Sequence, residues 1–353
     1  MEVLTLTLLN FRNFSNFRCV FDGKLTVIIG KNGSGKSNIL EALSLLAAQK
    51  SARVETDLDL VKFGRGEAKI EAEVESQSEK SVLTINFQVI DETYVKKAYF
   101  IDGIKKRLFD FIEHFCVITF TPLDLDLVVG TPALRRHHLD ILLSGLDRDY
   151  WRSIGNYNKV VARRNKVLGR ILERQSKPAE LDFWDESLLS HGSVVSKKRQ
   201  EFFEYLNFVE NPSSHKASVD KKDYSWQLKQ SLLSAEKLIR NRERDIAAGV
   251  TLSGPHRDDF VFLFGGRNLE YFGSRGEQRM AVLALKLAEL EYVNLKRGGR
   301  PVLALDDIFS ELDWEHREAI LGVIDKQQTI ITAAEVDSVP KELLKKAKVV
   351  KLT

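Results

Sequence analysis

Apolar and polar residues alternate from Val3 to Leu9, with Thr5 and Thr7 at the polar positions, and a second short run spans residues 17–21. A wholly apolar run, LTVII, follows at 25–29. Alternation with a period of two predicts half-buried strands, and the continuous run predicts a strand buried on both faces. Between Ser37 and Ala48 the apolar positions Ile39, Leu40, Leu43, Leu46 and Ala47 recur at helical spacing. Residues 68–120 alternate again in short runs, such as 68–74 and 82–89, which predicts an antiparallel layer resting on the first strands.

From Thr131 to Ala248 strand-like runs nearly vanish, and the spacing predicts helices over 132–143, 150–173, 181–208 and 226–244. The polar stretch 211–223 has the composition of a connecting loop. Gly249 opens a return to mixed structure: a strand at 260–264, a helix at 276–296, a buried strand at 302–305, a helix at 315–324, and strands at 329–331 and 349–352. The expected fold class is α/β. Residues 1–130 and 249–353 form one domain, interrupted by a helical domain at 131–248.

With 353 residues, 43% of them apolar, the chain can fill a sizeable core. Its 53 Lys+Arg against 50 Asp+Glu leave a net charge of +3, which does not demand a polyanionic partner, so charge clusters must decide. Cys19 and Cys116 stand far apart with no metal-binding spacing, which points to a reducing compartment and no structural zinc. No run approaches the roughly 20 apolar residues of a membrane span, and the first residues lack a signal-peptide pattern. A soluble cytoplasmic protein without a membrane partner is expected.

Residues 30–37 read GKNGSGKS, the pattern G-x-x-x-x-G-K-[ST], between a buried strand and an amphipathic helix. Average residue usage gives about 0.01 chance matches in a chain of this length, so phosphate binding outweighs an accidental glycine-rich turn. Gly30, Gly33 and Gly35 let the backbone curl so that N–H groups face phosphates, and the helix N-terminus adds partial positive charge. The expected nucleotide contacts run through Gly30, Lys31, Asn32, Gly33, Ser34, Gly35, Lys36, Ser37 and Asn38. Lys36 would hold the β and γ oxygens as a catalytic group, and Ser37 would give its hydroxyl to Mg²⁺.

Asp306 and Asp307 close the run VLAL at the C-terminal end of a buried strand, where open α/β sheets bind ligands. Alone they read as solvated acids. Beside a P-loop, Asp306 suits a water-mediated Mg²⁺ contact, and Asp307 suits the orientation or deprotonation of the water attacking the γ-phosphate. Residues 273–279 read GSRGEQR, in which Ser274 and Glu277 have the spacing of a capping box. The same segment resembles the ABC signature LSGGQ at Ser274, Gly276 and Glu277, with Arg275 replacing the first glycine. In the ABC arrangement such a cap closes on the ATP held by a partner subunit.

Three further stretches resemble the RecF family of SMC-like ABC-type ATPases: PLDLDLVVGTPALRRHHLD at 122–140, SGPHRDD at 253–259 and LALDDIFSELDWEHREAIL at 303–321, with NILEAL behind the P-loop. The resemblance implies a P-loop ABC-type ATPase head, a mixed sheet with a β lobe, interrupted by a helical arm. It implies ATP and Mg²⁺ as cofactors and an ATP-closed homodimer with slow, DNA-stimulated hydrolysis. The implied partners are double-stranded DNA and double-strand/single-strand junctions at gaps, together with RecO and RecR, in helping to load RecA. SELD, Ser310 to Asp313, resembles a D-loop, and Arg12, in NFRNF, resembles an arginine that SMC-type heads turn toward the nucleotide, although it also reads as a solvent-exposed basic residue at a strand end. His256 and Arg257 are hallmarks of the family, although a lone histidine followed by acids also reads as a structural hydrogen-bonder. About 110 residues in the helical middle allow only a short arm and exclude a long zipper. Asp307 departs from the Glu of most ABC ATPases, Thr332-Ala333-Ala334 stand where transporter ATPases place a switch histidine, and residues 120–125 hold no Q-loop glutamine.

Between Arg152 and Lys177 eight basic residues face one acid, Glu173. Of these, Arg163, Lys166, Arg170, Arg174 and Lys177 fall three or four apart, which predicts a DNA-phosphate stripe on one helix face. A solvated face is the other reading. A second patch, Lys96, Lys97, Lys105, Lys106 and Arg107, lies on the β lobe, and no base-reading motif accompanies either. Beside the ATP-gated DNA clamp stand two alternatives, the ATPase subunit of a transporter or a DNA-binding module that holds ATP without hydrolysing it.

Overall fold

The structure, a computed structural model, describes residues 1–48, 51, 53–54, 56–208, 224–311 and 321–352. These residues divide into two compact units, one built from 1–125 with 279–352, the other from 126–208 with 224–278.

Two sheets build the first unit. β1 (Glu2–Phe11), β2 (Phe14–Val20), β4 (Glu67–Ser76), β5 (Glu79–Ile90), β6 (Tyr94–Ile101) and β7 (Ile104–Lys106) form an antiparallel sheet in the order β2-β1-β4-β5-β6-β7. The sequence alternation becomes one buried face, on which Ala68 pairs with Phe87, Ile70 with Ile85 and Ala72 with Leu83. This is the expected lobe, with one correction. Residues 117–120, assigned to it by alternation, form β8 (Val117–Phe120) and pair instead with the second sheet, at its edge beside residues 302–305.

The second sheet joins β8 to β3 (Leu25–Ile29), β12 (Val302–Asp306), β13 (Thr329–Ala333) and β14 (Lys348–Lys351) in the order β14-β3-β13-β12-β8, every pair parallel. β3, β12 and β13 are buried at every position, which is why they read as continuous apolar runs. The register sets Thr332 of β13 beside Ile28 of β3 and Asp306 of β12. The glycine-rich loop and the aspartates therefore leave the same edge of the sheet, on either side of β13.

Four long helices dominate the second unit: Pro132–Leu146, Arg148–Leu172, Leu181–Phe208 and Ala235–Ala248. Asp147 starts the second by accepting from the Tyr150 N–H at 2.8 Å, and Gly249, at φ 66°, ends the fourth in the left-handed conformation glycine tolerates. The helix expected over 226–244 is corrected. Residues 224–229 form β9 (Tyr224–Lys229), and the helix begins only at Ala235, capped by Ser234. Trp226 and Leu228 alternate with Ser225 and Gln227, and the buried Trp226 fixes the strand face. β9 pairs with β10 (Asp259–Phe264), which pairs with β11 (Arg267–Asn268). Through that pairing residues 249–278, expected in the head, cluster with the helices.

The loop at 211–223, Leu312 and Asp313, and most of the helix expected at 315–324 lie outside the described residues. Among the described residues no helix is long and apolar enough to cross a membrane.

Candidate functional site

β3 delivers the chain into the loop 30–35, and the helix Lys36–Ala47 leaves it with Ile39, Leu40, Leu43 and Leu46 buried. The Gly30 N–H donates to the Ala333 carbonyl at 3.2 Å and ties the loop to β13. Gly35 takes φ 105°, and a Cβ there would sit 2.5 Å from a Phe14 ring carbon and 2.8 Å from Asn13 Oδ1. No side chain caps the helix that follows. The Lys36 ammonium is folded back onto the carbonyls of Gly30 at 2.6 Å and Lys31 at 3.2 Å, while the buried Ser34 hydroxyl has no hydrogen-bond partner. An uncapped helix N-terminus, an unsatisfied hydroxyl and an inward-turned ammonium are donors that suit polyphosphate oxygens.

Across β13 stand the aspartates. The Thr332 hydroxyl donates to Asp306 Oδ1 at 2.6 Å and accepts from the Asp307 N–H at 3.0 Å. Asp307 has φ 50°, a left-handed conformation that is costly for a residue with a Cβ. The turn after β8, where no Q-loop glutamine was found, is fixed otherwise. Thr121 donates to Asp124 through its N–H and hydroxyl, and buried Lys286 donates to Asp124 Oδ1 at 2.9 Å.

Arg12, expected toward the nucleotide, is held by protein groups. Its Nε and Nη2 donate to the two Glu41 oxygens at 2.8 and 2.7 Å, and Nη1 donates to the Asp59 carbonyl at 2.9 Å. A carboxylate matches the guanidinium fork in this two-point way. Arg12 therefore braces the hairpin between β1 and β2 against the P-loop helix. Asn13, which the sequence did not single out, also contributes. The Asn13 amide donates to the Ser34 carbonyl at 3.2 Å and accepts from Asn38 at 2.9 Å, supporting the loop from outside. Its position in the quoted NFRNF was the only available signal.

In the second unit Ser274 and Glu277 form the capping box. The Glu277 carboxylate accepts from the Ser274 N–H at 2.7 Å and the Ser274 hydroxyl accepts from the Glu277 N–H at 3.3 Å. The first of these bonds holds the Glu277 carboxyl below its usual range. Ser274 and Gly276 are exposed, and a Cβ at Gly276 would meet open space apart from the Ser274 hydroxyl. Capping thus leaves this helix start exposed to solvent.

The basic stripe is only partly assembled. Arg163, Lys166 and Arg170 are exposed around an open depression that also includes Glu173 and Trp184, and the Arg163 guanidinium lies 5.7 Å from the Trp184 ring centre. Arg174 and Lys177 fall beyond the helix, which ends at Leu172, and Arg174 itself turns to φ 61°. Arg164, counted in the same basic run, is wholly buried between Asp185 and Asp245, each at 2.7 Å.

The two quoted motifs of this unit hold each other. Arg135 forms a two-point pair with Asp259 at 2.6 and 3.0 Å, Arg136 donates to the Asp258 carbonyl, and buried Arg199 joins Asp140 to Asp258, both at 2.8 Å. Gly254, at φ 127°, leaves no room for a Cβ against the Tyr157 hydroxyl. His256 Nε2 donates to the Thr251 carbonyl at 3.0 Å, which leaves Nδ1 to accept from Tyr157 at 2.7 Å. Burial holds the imidazole pKa below the ordinary 6.5, which favours the neutral ring with Nδ1 accepting from Tyr157. A depressed histidine contributes stability that is full above its unfolded pKa and is lost as pH falls through the folded value. Thermal unfolding should show the wild-type Tm falling below pH 6.5 more steeply than that of His256→Gln; equal slopes would discard the neutral imidazole.

Residues 2–351 match the family described as RecF/RecN/SMC N terminal domain. A DNA replication and repair protein RecF of Moorella thermoacetica is 37% identical over 355 residues, which span 98% of this chain and 94% of that protein. Its counterpart in Thermomicrobium roseum is 35% identical over 373 residues, spanning 96% and 94%. Two solved structures of the recombination mediator protein RecF in the RecFOR pathway, one with ATPrS and one with ATP, superpose with TM-scores of 0.85 and 0.83 at 28% and 29% identity. They cover 96% of this chain and 94% and 93% of theirs. Matched over nearly its whole length, with its cradle, paired aspartates and serine-glycine cap in one α/β chain, the protein belongs to the RecF family of ABC-type ATPases.

Proposed function

We propose that this protein binds and hydrolyses ATP, closes as a homodimer when it does so, and acts on DNA in replication and recombinational repair. One observation carries the reading: donors suited to a polyphosphate stand around the P-loop, while a second helix start, at Ser274 and Gly276, is left open on the surface. The relatives' designation as DNA replication and repair proteins, and the solved RecF structure with ATP, support it.

In this reading Lys36 leaves the Gly30 and Lys31 carbonyls for the β and γ oxygens, and the Ser34 hydroxyl gains an acceptor. Ser37 and Asp306 are the groups that would hold Mg²⁺, which offsets phosphate charge when bound. Asp307 orients or deprotonates the attacking water. Ser274, Gly276 and the Glu277-braced helix start of a second copy cap the same triphosphate, so that ATP joins two heads. Arg12 supports the cradle through Glu41. Arg163, Lys166 and Arg170, with Arg174 beside them, meet DNA phosphates without reading sequence, at gapped duplexes where RecO and RecR assist in loading RecA.

Ser274→Asp separates the two roles of the cap. Aspartate caps a helix as well as serine does, but it sets a negative charge against the partner's phosphate. The variant should fold with wild-type stability yet stay monomeric with ATP in light scattering, and its affinity for gapped DNA should no longer depend on ATP. ATP-driven dimerisation equal to wild type removes the cap from the mechanism. DNA binding by wild type that is equal with ATP, ADP and no nucleotide removes the clamp.

A further inference from the structure

Thr332 is buried at the centre of the parallel sheet, and its hydroxyl touches both members of the aspartate pair. A hydroxyl supplies one proton and two lone pairs. Here the proton goes to Asp306 Oδ1, and a lone pair takes the Asp307 N–H. Because β13 runs parallel to β12 with Thr332 opposite Asp306, the strand register delivers this hydroxyl without any flexible side chain. A β-branched residue on a strand has few rotamers to lose, so the oxygen is held in place before any ligand arrives.

We infer that Thr332 is the positioning residue for this pair, setting the Asp306 carboxylate for the metal and holding Asp307 in its strained turn so that its carboxylate faces the attacking water. The inference rests on the ATPase reading above. With Oδ1 engaged by Thr332, the rotation of Asp306 is restrained, and Oδ2 is the oxygen that would remain for a water on Mg²⁺. The left-handed backbone of Asp307 costs less for aspartate than for most residues bearing a Cβ but is still less favourable than the right-handed one, and the bond from its N–H is a local restraint that opposes relaxation. Without the hydroxyl both restraints go together. The carboxylate of Asp306 rotates freely, and Asp307 returns toward an ordinary backbone conformation. The position is also where a transporter-type ATPase would be searched for its switch histidine, and in this chain the sequence there is Thr332-Ala333-Ala334. The hydroxyl does not reproduce a proton-donating imidazole. It acts one layer behind the reacting groups.

The test compares Thr332→Val, which keeps β-branching and volume but removes the hydroxyl, with Thr332→Ser, which keeps the hydroxyl. Two readouts are needed: single-turnover ATP hydrolysis, and binding of a fluorescent non-hydrolysable ATP analogue with Mg²⁺ and in EDTA. Outer residues that orient metal-binding carboxylates are worth about 10- to 100-fold. Thr332→Val should lose hydrolysis by that factor and lose the Mg²⁺-dependent gain in analogue affinity, while its affinity in EDTA stays at the wild-type value. Thr332→Ser should restore both to within about threefold. Should Thr332→Val fail to fold, Thr332→Ala gives the same comparison against serine. A valine or alanine variant with intact hydrolysis and an intact Mg²⁺ increment overturns the inference alone, as does a serine variant no better than valine. Wild type that shows no Mg²⁺-dependent analogue binding overturns the ATPase reading, and this inference with it.

Discussion

Lys36→Ala should reduce ATP turnover by at least about 100-fold, the loss typical when one preorganised donor to a developing negative charge is removed. Its ammonium lies inside the loop, bonded to the Gly30 and Lys31 carbonyls, so it is available to the phosphates with a small rotation of its own side chain. Alanine preserves the helix and removes the charge. Nucleotide should still reach the loop through backbone N–H groups, weakened but measurable by equilibrium dialysis, so that the deficit appears mainly in turnover. Retention of turnover within threefold of wild type would place hydrolysis elsewhere in the molecule.

The second large effect concerns stability. Arg199→Met should destabilise the second unit by about 3–5 kcal/mol, because removing one partner of a buried ion pair strands the other. Arg199 is 1% exposed and bonds the Pro255 carbonyl, Asp258, Asp140 and the Tyr150 hydroxyl. Methionine keeps most of its volume. Burial raises the Asp258 pKa above the ordinary carboxylate value, and the positive charge of Arg199 works against that rise. In the variant it rises further. A carboxyl raised in the folded state contributes stability that is full below its unfolded pKa and is lost as pH climbs through the folded one. The deficit should therefore be largest at neutral pH and shrink on acidification. Urea unfolding at pH 7.5 and 5.5 reads both quantities, and a deficit under 1 kcal/mol at the higher pH would show that the network carries little.

How much of this was legible in the sequence depends on whether the signal is local. The glycine spacing at 30–35 and the apolar run of β3 are local, and both predicted the cradle and the strand that carries it. The capping box was equally local, since Ser274 and Glu277 lie three residues apart. The region around Trp226 misled because Leu228 and Leu232 also fit a helical period, and only the partner strand β10, some thirty residues on, decides between them. β8 was misplaced for the same reason, as its pairing with β12 spans about half the chain. Arg163 and Arg164 are adjacent and chemically identical. One is exposed over Trp184 and the other is enclosed by Asp185 and Asp245, and no count of basic residues distinguishes them. Thr332 was noticed for what it lacks as an imidazole, whereas its contribution depends on the register between β12 and β13.

The order of strands in the parallel sheet bears on how the protein comes to exist. β3, which carries the phosphate loop, is flanked only by β13 and β14, both drawn from the final stretch of the chain. On the ribosome the loop is translated long before its sheet neighbours, and the strand behind it has no partner until residue 329 has emerged. Long-range pairing of this kind is slow to form. A chain that stops short of β13 therefore lacks both sheet neighbours of the strand that carries the phosphate loop.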